Sequence, residues 1–377
     1  MVNFLTAKQI LQVMDISMLA SVIHEYVLGD KGIKELIENE ELKIEPNITE
    51  DQIQPATLDI RIGKVKVYNQ SSWAKANIMM PNLKDDLEVF NYEPSDEYAT
   101  VYEDEKDIPI LIPAGSFVEL DFHEKLMFDP NKHYFTTELR SSRGRLGLNS
   151  MNDLIPNWNS RIDFWNNNPN DIILYGQSKF AQLFFHARHP DIPRDGEIVS
   201  NPAEVKEIAK QICDNPITFG NYIIFKVGEK AYSFNKMDKP IDTNNKPSQE
   251  ELYRTHNLNE PLLVEPNDPH IVQLEPEVHL PPNIGVRLLH TIPRNQMATG
   301  FGYAMDLSLV NAGWVDPGYE GKITAHPYRR ITPRALIKGD SLVFGVTYKY
   351  ADGVDRSYGS EELGSHYQNS DGTTSRN

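Results

Sequence analysis

Cysteine is almost absent from this chain of 377 residues, which contains Cys213 alone. One cysteine excludes an intrachain disulfide and any zinc site built on paired thiolates. Long apolar runs are also missing, since none approaches the roughly 18 residues that a membrane span needs. The first residues lack the basic start and the small-residue cleavage site of a signal peptide. We therefore expect a cytoplasmic protein with no membrane partner, whose chemistry uses oxygen and nitrogen groups.

Basic residues are in short supply: 37 lysines and arginines face 54 aspartates and glutamates, for a formal net charge of −17 at pH 7. This balance argues against a nucleic-acid polymer as partner, because binding a polyanion usually requires a basic face. A small anion needs only a local basic pocket and is not excluded. The apolar fraction of 40% is typical of a soluble globular protein, and the length fits two domains.

Proline and glycine, which are plentiful, separate many short apolar or alternating runs such as "TLDIRIGKVKVY", "SFVELDF" and "SLVFGVTY". Many short strands with frequent turn signals predict a β-sandwich or barrel. Helical periodicity is confined to three stretches: "AKQILQVMDISMLASVIHEYVL", "KGIKELIENE" and "PAEVKEIAKQICD". The fold class predicted from the pattern is therefore mainly β.

The sequence also contains an internal repeat. "PILIPAGSFVELDFHEKLMFDPN" (109–131) aligns without a gap to "PLLVEPNDPHIVQLEPEVHLPPN" (261–283). Matching blocks flank both stretches in the same order and place Gly63 opposite Gly228. This agreement predicts a duplicated domain with a boundary near residues 190–200. The polar stretch "NKMDKPIDTNNKPSQEE" (235–251) is predicted to be a surface loop of the second copy.

Four further motifs resemble the dCTP deaminase and dUTPase superfamily, and in particular its deaminase branch. They are "QPATLDIRIG" (54–63), "RSSRGRLGL" (140–148), "VDPGYEGKI" (315–323) and the C-terminal "HYQNSDGTTSR" (366–376). The resemblance implies two tandem dUTPase-like domains, each a distorted β-barrel or jelly roll with few short helices. We expect a helical extension over residues 1–28, a first domain over 29–195 and a second over 196–377.

The two copies carry different halves of the family's pattern. The arginine-serine segment is intact only in the first copy and the Asp-Pro-Gly hairpin only in the second. Because the superfamily assembles its sites between neighbouring domains, the resemblance implies one composite site, made within a chain or between chains. It also implies a homo-oligomer, for which a trimer of two-domain chains is one arrangement.

The arginine-serine segment has the donors that a triphosphate requires: guanidinium forks, hydroxyls and backbone N–H groups that a ligand can approach closely. A solvated loop whose arginines pair with surface carboxylates is the alternative interpretation. The candidate phosphate-binding residues are Arg140, Ser141, Ser142, Arg143, Gly144 and Arg145.

By the same resemblance, Asp316 contacts the sugar 3′-hydroxyl or positions water, and Tyr319 stacks on the deoxyribose. Asp-Pro-Gly is also a common tight turn with no further role. The tail matches a mobile arm that closes over bound nucleotide, with Tyr367, Gln368 and Arg376 among its candidate contacts. A disordered terminus is the alternative.

The general base is not settled by the sequence. The family uses a glutamate ten residues after the hairpin aspartate, where this chain has His326. Asp163, in "RIDFWNN", takes the glutamate position in the first copy, although aspartate is one methylene shorter. His326 as the acid-base group and His326 as an ordinary strand residue both remain open.

The leading hypothesis is a zinc-independent dCTP deaminase, a hydrolase that converts dCTP and water to dUTP and ammonia with Mg²⁺ on the phosphates. A dUTP diphosphatase, or an enzyme that performs both steps, is the second. The third is a regulator that binds dCTP or dUTP without turnover, because each copy retains only half of a site and the usual glutamate is missing.

Overall fold

The computed structural model describes most of the chain, and all structural statements refer to these residues: 26–68, 99–150, 160–187, 196–265, 268–293, 313–325, 334–339, 341–361, 363 and 367–369. We call residues 26–187 the first half and residues 196–369 the second half. His326 and Arg376 lie outside the described residues.

The fold is mainly β with a few short helices, as the sequence predicts. The helices are α1 (Asp30–Glu38), α2 (Ser141–Gly144), α3 (Pro202–Ile212) and α4 (Gln249–Leu252), with a 3₁₀ turn at Glu50–Gln52. The strands of the first half are β1 (Tyr26–Val27), β2 (Leu42–Glu45), β3 (Leu58–Tyr68), β4 (Thr100–Tyr102), β5 (Pro109–Ile112), β6 (Phe117–Phe122), β7 (Lys125–Phe128), β8 (His133–Leu139), β9 (Leu148–Ser150), β10 (Arg161–Asn166), β11 (Ile172–Tyr175) and β12 (Lys179–Ala187). Those of the second half are β13 (Gly196–Ile198), β14 (Ile217–Phe219), β15 (Tyr222–Phe234), β16 (Ile241–Asp242), β17 (Tyr253–Asn257), β18 (Leu262–Val264), β19 (His270–Glu275), β20 (Val278–His279), β21 (Ile284–Pro293), β22 (Trp314–Val315), β23 (Glu320–Gly321), β24 (Thr324–Ala325), β25 (Arg334–Leu336) and β26 (Ser341–Lys349).

Equivalent strands of the two halves pair in the same way. In the first half β12 lies between β8 and β3, and β3 also pairs with β6, all antiparallel. In the second half β26 lies between β21 and β15, and β15 also pairs with β19. The duplicated blocks of the sequence thus occupy equivalent places in two sheets. The domain limits at residues 28 and 195 stay a prediction.

Two of the predicted helices are confirmed. In α1, Ile33 and Leu36 lie on one face and are buried. Helix α3 begins with Pro202 after the cap residue Asn201, whose side chain accepts a hydrogen bond from the Ala203 backbone N–H at 3.0 Å. No helix among the described residues is long and apolar enough to span a membrane.

The helix predicted over residues 1–28 extends too far at its C-terminal end. Residues 1–25 lie outside the described residues, but Tyr26–Val27 form a strand that pairs antiparallel with Gly196–Ile198 of the second half. Val27 is fully buried. Tyr26 and Val27 therefore belong to a sheet. Strand pairing and burial outweigh the helical spacing of apolar residues in determining their conformation.

Hydrophobic contacts join the two halves. Each half has a core of its own, and a third cluster combines residues of both, including Ala56 and Phe184 from the first half and Tyr222, Phe344 and Tyr348 from the second. Most of these side chains are aromatic and large, and all five are buried. The halves therefore pack as one body.

The stretch predicted as a surface loop is instead docked on the first half. We call residues 235–253 the crossing segment. Its strand β16 pairs in parallel with β11 of the first half, and Ile241 and Tyr253 are buried in the first core. The packing of this stretch could not be predicted from its polar composition, because only a few apolar residues hold it against the first half.

Candidate active site between the two halves

The predicted phosphate-binding residues lie on a tight turn that follows β8. Arg140 has an extended backbone and donates its N–H to the Phe180 carbonyl at 3.0 Å, and residues 141–144 then form the single turn α2. Gly147 ends the turn with φ of +82°, and a Cβ there would lie 3.2 Å from the Asn168 nitrogen. We call residues 140–145 the arginine segment.

Arg140 and Arg143 of this segment have different surroundings. Arg140 lies with its Nε 3.4 Å from Oδ1 of Asp59. Arg143 donates from Nη2 to the Lys179 carbonyl at 3.2 Å, and its buried Nε has no hydrogen-bond partner among the described residues. Burial, with a contribution from the charge of Arg140, lowers the pKa of Arg143 to about 10. Ser141 and Ser142 are partly buried beside them.

Asp59, from the "QPATLDIRIG" motif, lies next to Arg140 of the arginine segment. Its carboxyl is fully buried, with Arg140 on one side and Lys179 Nζ at 3.8 Å on the other. Burial raises the pKa of Asp59, and the charges of Arg140 and Lys179 oppose the rise. The motif that opens the resemblance thus lies at the site, although it was not among the predicted site residues.

The Asp-Pro-Gly hairpin of the second half meets the first half here. Trp314 Nε1 donates a hydrogen bond to Asp316 Oδ1 at 3.1 Å. Burial raises the pKa of Asp316 to about 7; the hydrogen bond from Trp314 opposes this rise, and the charges of Asp59 and Glu138 add to it. Asp316 is therefore close enough to two carboxylates of the first half to share an electrostatic environment with them.

A buried ion pair lies beside this carboxylate group. Arg287 of β21 binds Glu138 of β8 through Nη2, and both side chains are nearly inaccessible to solvent. The Arg287 guanidinium also lies 4.7 Å above the ring of Phe184, and its strand position pairs with Trp314. The pair links the two halves at the level of the site.

The ring of Tyr319 is not exposed for stacking on a ligand. It is 8% exposed and packs in the core of the second half, with its ring 5.6 Å from that of Tyr358. Its hydroxyl donates to the Lys322 carbonyl at 2.8 Å. Stacking of Tyr319 on a deoxyribose stays a prediction.

The tail reaches back over the site. Gln368 donates to the Gly318 carbonyl and accepts from the Glu320 N–H, each at 3.2 Å. Tyr367 is buried and places its ring 4.3 Å from the guanidinium carbon of Arg145. A residue of the second half therefore covers Arg145, so that parts of both halves meet here within one chain.

Asp163 lies elsewhere. It is on β10, opposite Glu119 of β6, and it accepts a hydrogen bond from Arg161 Nε at 2.7 Å. Arg161 also pairs with Glu119 at 2.7 Å. The structure thus places Asp163 in a separate ion-pair cluster of the first half and does not bring it together with Asp316. Its assignment as the general base stays a prediction.

The crossing segment supplies a residue that the sequence analysis missed. Lys246 is half-buried, and burial, with the positive charges of Arg143 and Arg140, lowers its pKa to about 8. Glu138 and Arg287 were missed as well, although an arginine inside the apolar run "IGVRLLH" is a signal that a buried partner is needed. Among the described residues no group of three or more His, Cys, Asp or Glu side chains is placed to hold a metal ion.

Comparison with known proteins supports the resemblance. The family model described as dCTP deaminase-like matches residues 27–187. A protein named "dCTP deaminase, dUMP-forming" from Nanoarchaeum equitans is 30% identical over 183 residues, which cover 45% of this chain and 87% of that protein. A protein of the same name from Persephonella marina is 29% identical over 163 residues, 42% of this chain and 82% of that protein.

A solved structure extends the likeness to the fold of both halves. The crystal structure of 2′-deoxycytidine 5′-triphosphate deaminase from Agrobacterium tumefaciens is 17% identical, with a TM-score of 0.66. The match covers 88% of this chain and all of that one. The tandem mainly β architecture is therefore shared with a solved protein. Together with the matched relatives, this shows that the chain belongs to the dCTP deaminase-like family.

Proposed function

We propose that this protein is a hydrolase that deaminates dCTP and releases dUMP, ammonia and pyrophosphate. The relatives named above are dUMP-forming, whereas the leading hypothesis from the sequence had dUTP as the product. The revised proposal corresponds to the enzyme with both activities that the sequence analysis left open.

The observation that carries the proposal is the position of Asp316. Asp316 lies within the electrostatic influence of Asp59 and Glu138 of the first half. Its pKa of about 7 lets it exchange a proton near neutral pH. In the deamination step, the oxygen of a water bonds to C4 of cytosine while Asp316 accepts the water's proton. Asp316 then returns the proton to the amino group, which leaves as ammonia. In the second step, a water attacks the α-phosphorus and pyrophosphate leaves.

The remaining roles follow from the charges at the site. Arg140, Arg143 and Arg145 bind the polyphosphate, and Tyr367 covers Arg145. Mg²⁺ would be held by the phosphates of the nucleotide, and its charge would stabilise the departing pyrophosphate. A homo-oligomer and a cytoplasmic location stay predictions.

The test is to incubate the purified protein and Mg²⁺ with dCTP and with dUTP, to separate the nucleotides, and to assay ammonia and pyrophosphate. We expect dUMP, ammonia and pyrophosphate in equal amounts from dCTP. Ammonia with dUTP as the sole nucleotide product would return the proposal to the dUTP-forming reaction. Saturable binding without products would leave a nucleotide-binding regulator.

Replacing Asp316 tests its role in proton transfer. We expect Asp316→Asn to lower kcat by roughly 10²–10⁴-fold, the usual contribution of a positioned acid or base. Asp214→Asn, at an exposed position, is the control and should keep full activity. In the unmodified protein kcat should fall as the pH drops below about 7, because Asp316 becomes protonated. A variant with residual activity and the same acid limb would show that another group titrates.

A further inference from the structure

The indole of Trp314 is held in place by aromatic side chains of both halves. Its ring centroid lies 5.5 Å from that of Phe184 in the first half and 5.4 Å from that of Tyr348 in the second. Gly285 makes room for it, because a Cβ at that position would lie 2.6 Å from Cζ2 of Trp314. A large ring in close-packed surroundings has little freedom to change rotamer. The direction of its N–H group is therefore set by contacts from both halves.

The backbone on either side of Asp316 is fixed as well. Before it, the pairing of β22 with β21 holds Trp314 in the sheet. After it, the Tyr319 N–H donates to the Asp316 carbonyl at 3.0 Å, and the Tyr358 N–H donates to the Pro317 carbonyl at 2.8 Å. The indole and the carboxyl, two residues apart in the sequence, therefore meet in a defined geometry.

The hydrogen bond between them constrains the two carboxyl oxygens differently. Nε1 of Trp314 donates to Oδ1 of Asp316 at 3.1 Å. An indole N–H can donate but cannot accept. A neutral carboxyl turns its better acceptor, the C=O oxygen, towards such a donor, so Oδ1 keeps this role when Asp316 is protonated. Oδ2 is then the oxygen that carries the proton.

We infer that Trp314 is a positioning residue for Asp316: by holding Oδ1 it leaves Oδ2 to take the proton of the attacking water and to return it to the departing amino group. The inference rests on the proposed function for the reaction. It adds the atom through which the proton moves and the residue that selects this atom.

Trp314 acts on Asp316 through a hydrogen bond, whereas other neighbours act through their charge. Asp59 and Glu138 of the first half disfavour the charged carboxylate. Burial, and then the charge of Asp316, raises the pKa of Tyr358, which stays neutral near pH 7. A hydrogen bond to a carboxylate favours its charged form. Loss of the Trp314 donor should therefore raise the pKa of Asp316 above about 7 while the charged neighbours stay in place.

Trp314→Phe removes the donor and keeps an aromatic ring. The titration of Asp316 can be followed by ¹³C NMR of the full-length protein labelled at aspartate Cγ, with the signal identified by its absence from Asp316→Asn. We expect Trp314→Phe to raise the midpoint by about one pH unit, since losing a hydrogen bond to a carboxylate changes proton affinity roughly tenfold. Trp165→Phe, the same replacement at a half-buried position of β10, is the matched control and should leave the midpoint unchanged.

Turnover of dCTP tests the choice of oxygen. The acid limb of kcat in Trp314→Phe should move to higher pH together with the midpoint, because Asp316 must be deprotonated to accept a proton. On the alkaline plateau we expect kcat to be about tenfold lower and KM to stay within about twofold, because Oδ2 is no longer selected. A plateau kcat equal to that of the unmodified protein would overturn the assignment of the proton to Oδ2.

An Asp316 midpoint in Trp314→Phe within about 0.3 pH unit of the unmodified protein, a twofold change in proton affinity, would overturn the inference. Ammonia release by the unmodified protein would then leave the proposed function standing. A raised midpoint in a protein that releases no ammonia would overturn the proposed function and leave Trp314 as the residue that holds Asp316. If Trp314→Phe were unfolded in urea titration, 3-benzothienylalanine, with sulfur in place of the indole N–H, would replace Trp314 and be judged by the same limits.

Discussion

Arg287 shows how strongly a single buried charge can depend on its partner. It lies on β21 among apolar neighbours, 1% exposed, and its ion-pair partner Glu138 belongs to the other half of the chain. Removing one member of such a pair leaves the other charged and desolvated, whereas removing both leaves no unpaired charge. The cost of a substitution here should therefore depend on whether the partner is still present.

We expect Arg287→Met to lower the free energy of unfolding by about 3–5 kcal/mol, as for other broken buried pairs. The double variant Glu138→Gln with Arg287→Met should recover at least half of that loss. Arg254→Met, on an exposed strand position, is the control and should change stability by less than about 0.5 kcal/mol. Urea unfolding followed by circular dichroism measures all three. Equal losses in the single and double variants would contradict the argument.

Only part of the site could be predicted from the sequence at the level of residues. Arg140 and Asp316 were found because they lie in short, specific motifs. Lys246 could not be found in this way, since its proximity to Arg143 comes from docking of the crossing segment on the first half. Asp163 was chosen because "RIDFWNN" resembles a strand of the family with Asp163 at the glutamate position, and the sequence did not show that Arg161 binds it.

Among the secondary-structure elements, the long strands β3 and β15 share a local irregularity. The pairing of β3 with β6 shifts register between Ile62 and Val65, and the pairing of β15 with β19 shifts between Val227 and Ala231. Gly63 and Gly228, which the internal repeat aligned, lie within these two shifts. Glycine inside a strand often marks a bulge or a close approach of another backbone, so the sequence signal was informative at this scale.

The two glycines differ in how closely the neighbouring strand approaches. A Cβ on Gly63 would lie 2.7 Å from the Asp121 carbonyl oxygen and 2.8 Å from the His123 nitrogen, both rigid backbone atoms. On Gly228 the nearest atom, the Gln273 carbonyl oxygen, would be 3.1 Å away. We expect Gly63→Ala to destabilise the protein by roughly 1–3 kcal/mol, the usual range for overpacking, and Gly228→Ala by clearly less. Unfolding midpoints in urea compare them directly, and the reverse order would show that the bulges relax differently.

The helices show where the spacing of apolar residues is enough to predict an element and where it is not. Helix α3 was predicted because its apolar residues, including Val205 and Ile208, recur at helical spacing behind a proline start. The crossing segment carries too few apolar residues for any period to be visible, so α4 and β16 could not be predicted. Their positions depend on contacts with residues more than 60 positions away in the sequence, such as the pairing of Ile241 with Ile172.

At the scale of the whole molecule, residues near the C-terminus contact the beginning of the first half. Asp30, at the start of α1, accepts hydrogen bonds from the backbone N–H groups of Asp355 and Arg356, both at 3.0 Å. Arg356 also donates to the Ile53 carbonyl at 2.5 Å. The C-terminal region is thus bonded to the beginning of the first half. A repeat in the sequence predicts two similar units but cannot show that they share contacts of this kind.

These contacts predict that the two halves do not fold independently. If the chain is divided after Arg194, the first half exposes Phe184 of the shared cluster and loses Tyr253, which is 5% exposed in its core. Burial of large aromatic side chains contributes about 1.5–3 kcal/mol each, and a domain has only about 5–15 kcal/mol in total. We therefore expect each half, expressed alone, to aggregate or remain unfolded.

Coexpression of residues 1–194 and 195–377 should instead yield a complex that elutes together in gel filtration and unfolds in one cooperative transition, as the undivided chain should. The shared cluster and the hydrogen bonds at Asp30 would form again, because neither requires the covalent link near residue 194. A soluble, monomeric first half with its own cooperative unfolding transition would contradict this expectation. It would mean that the contacts between the halves serve to assemble the site around Asp316 and Arg140 and contribute little to folding.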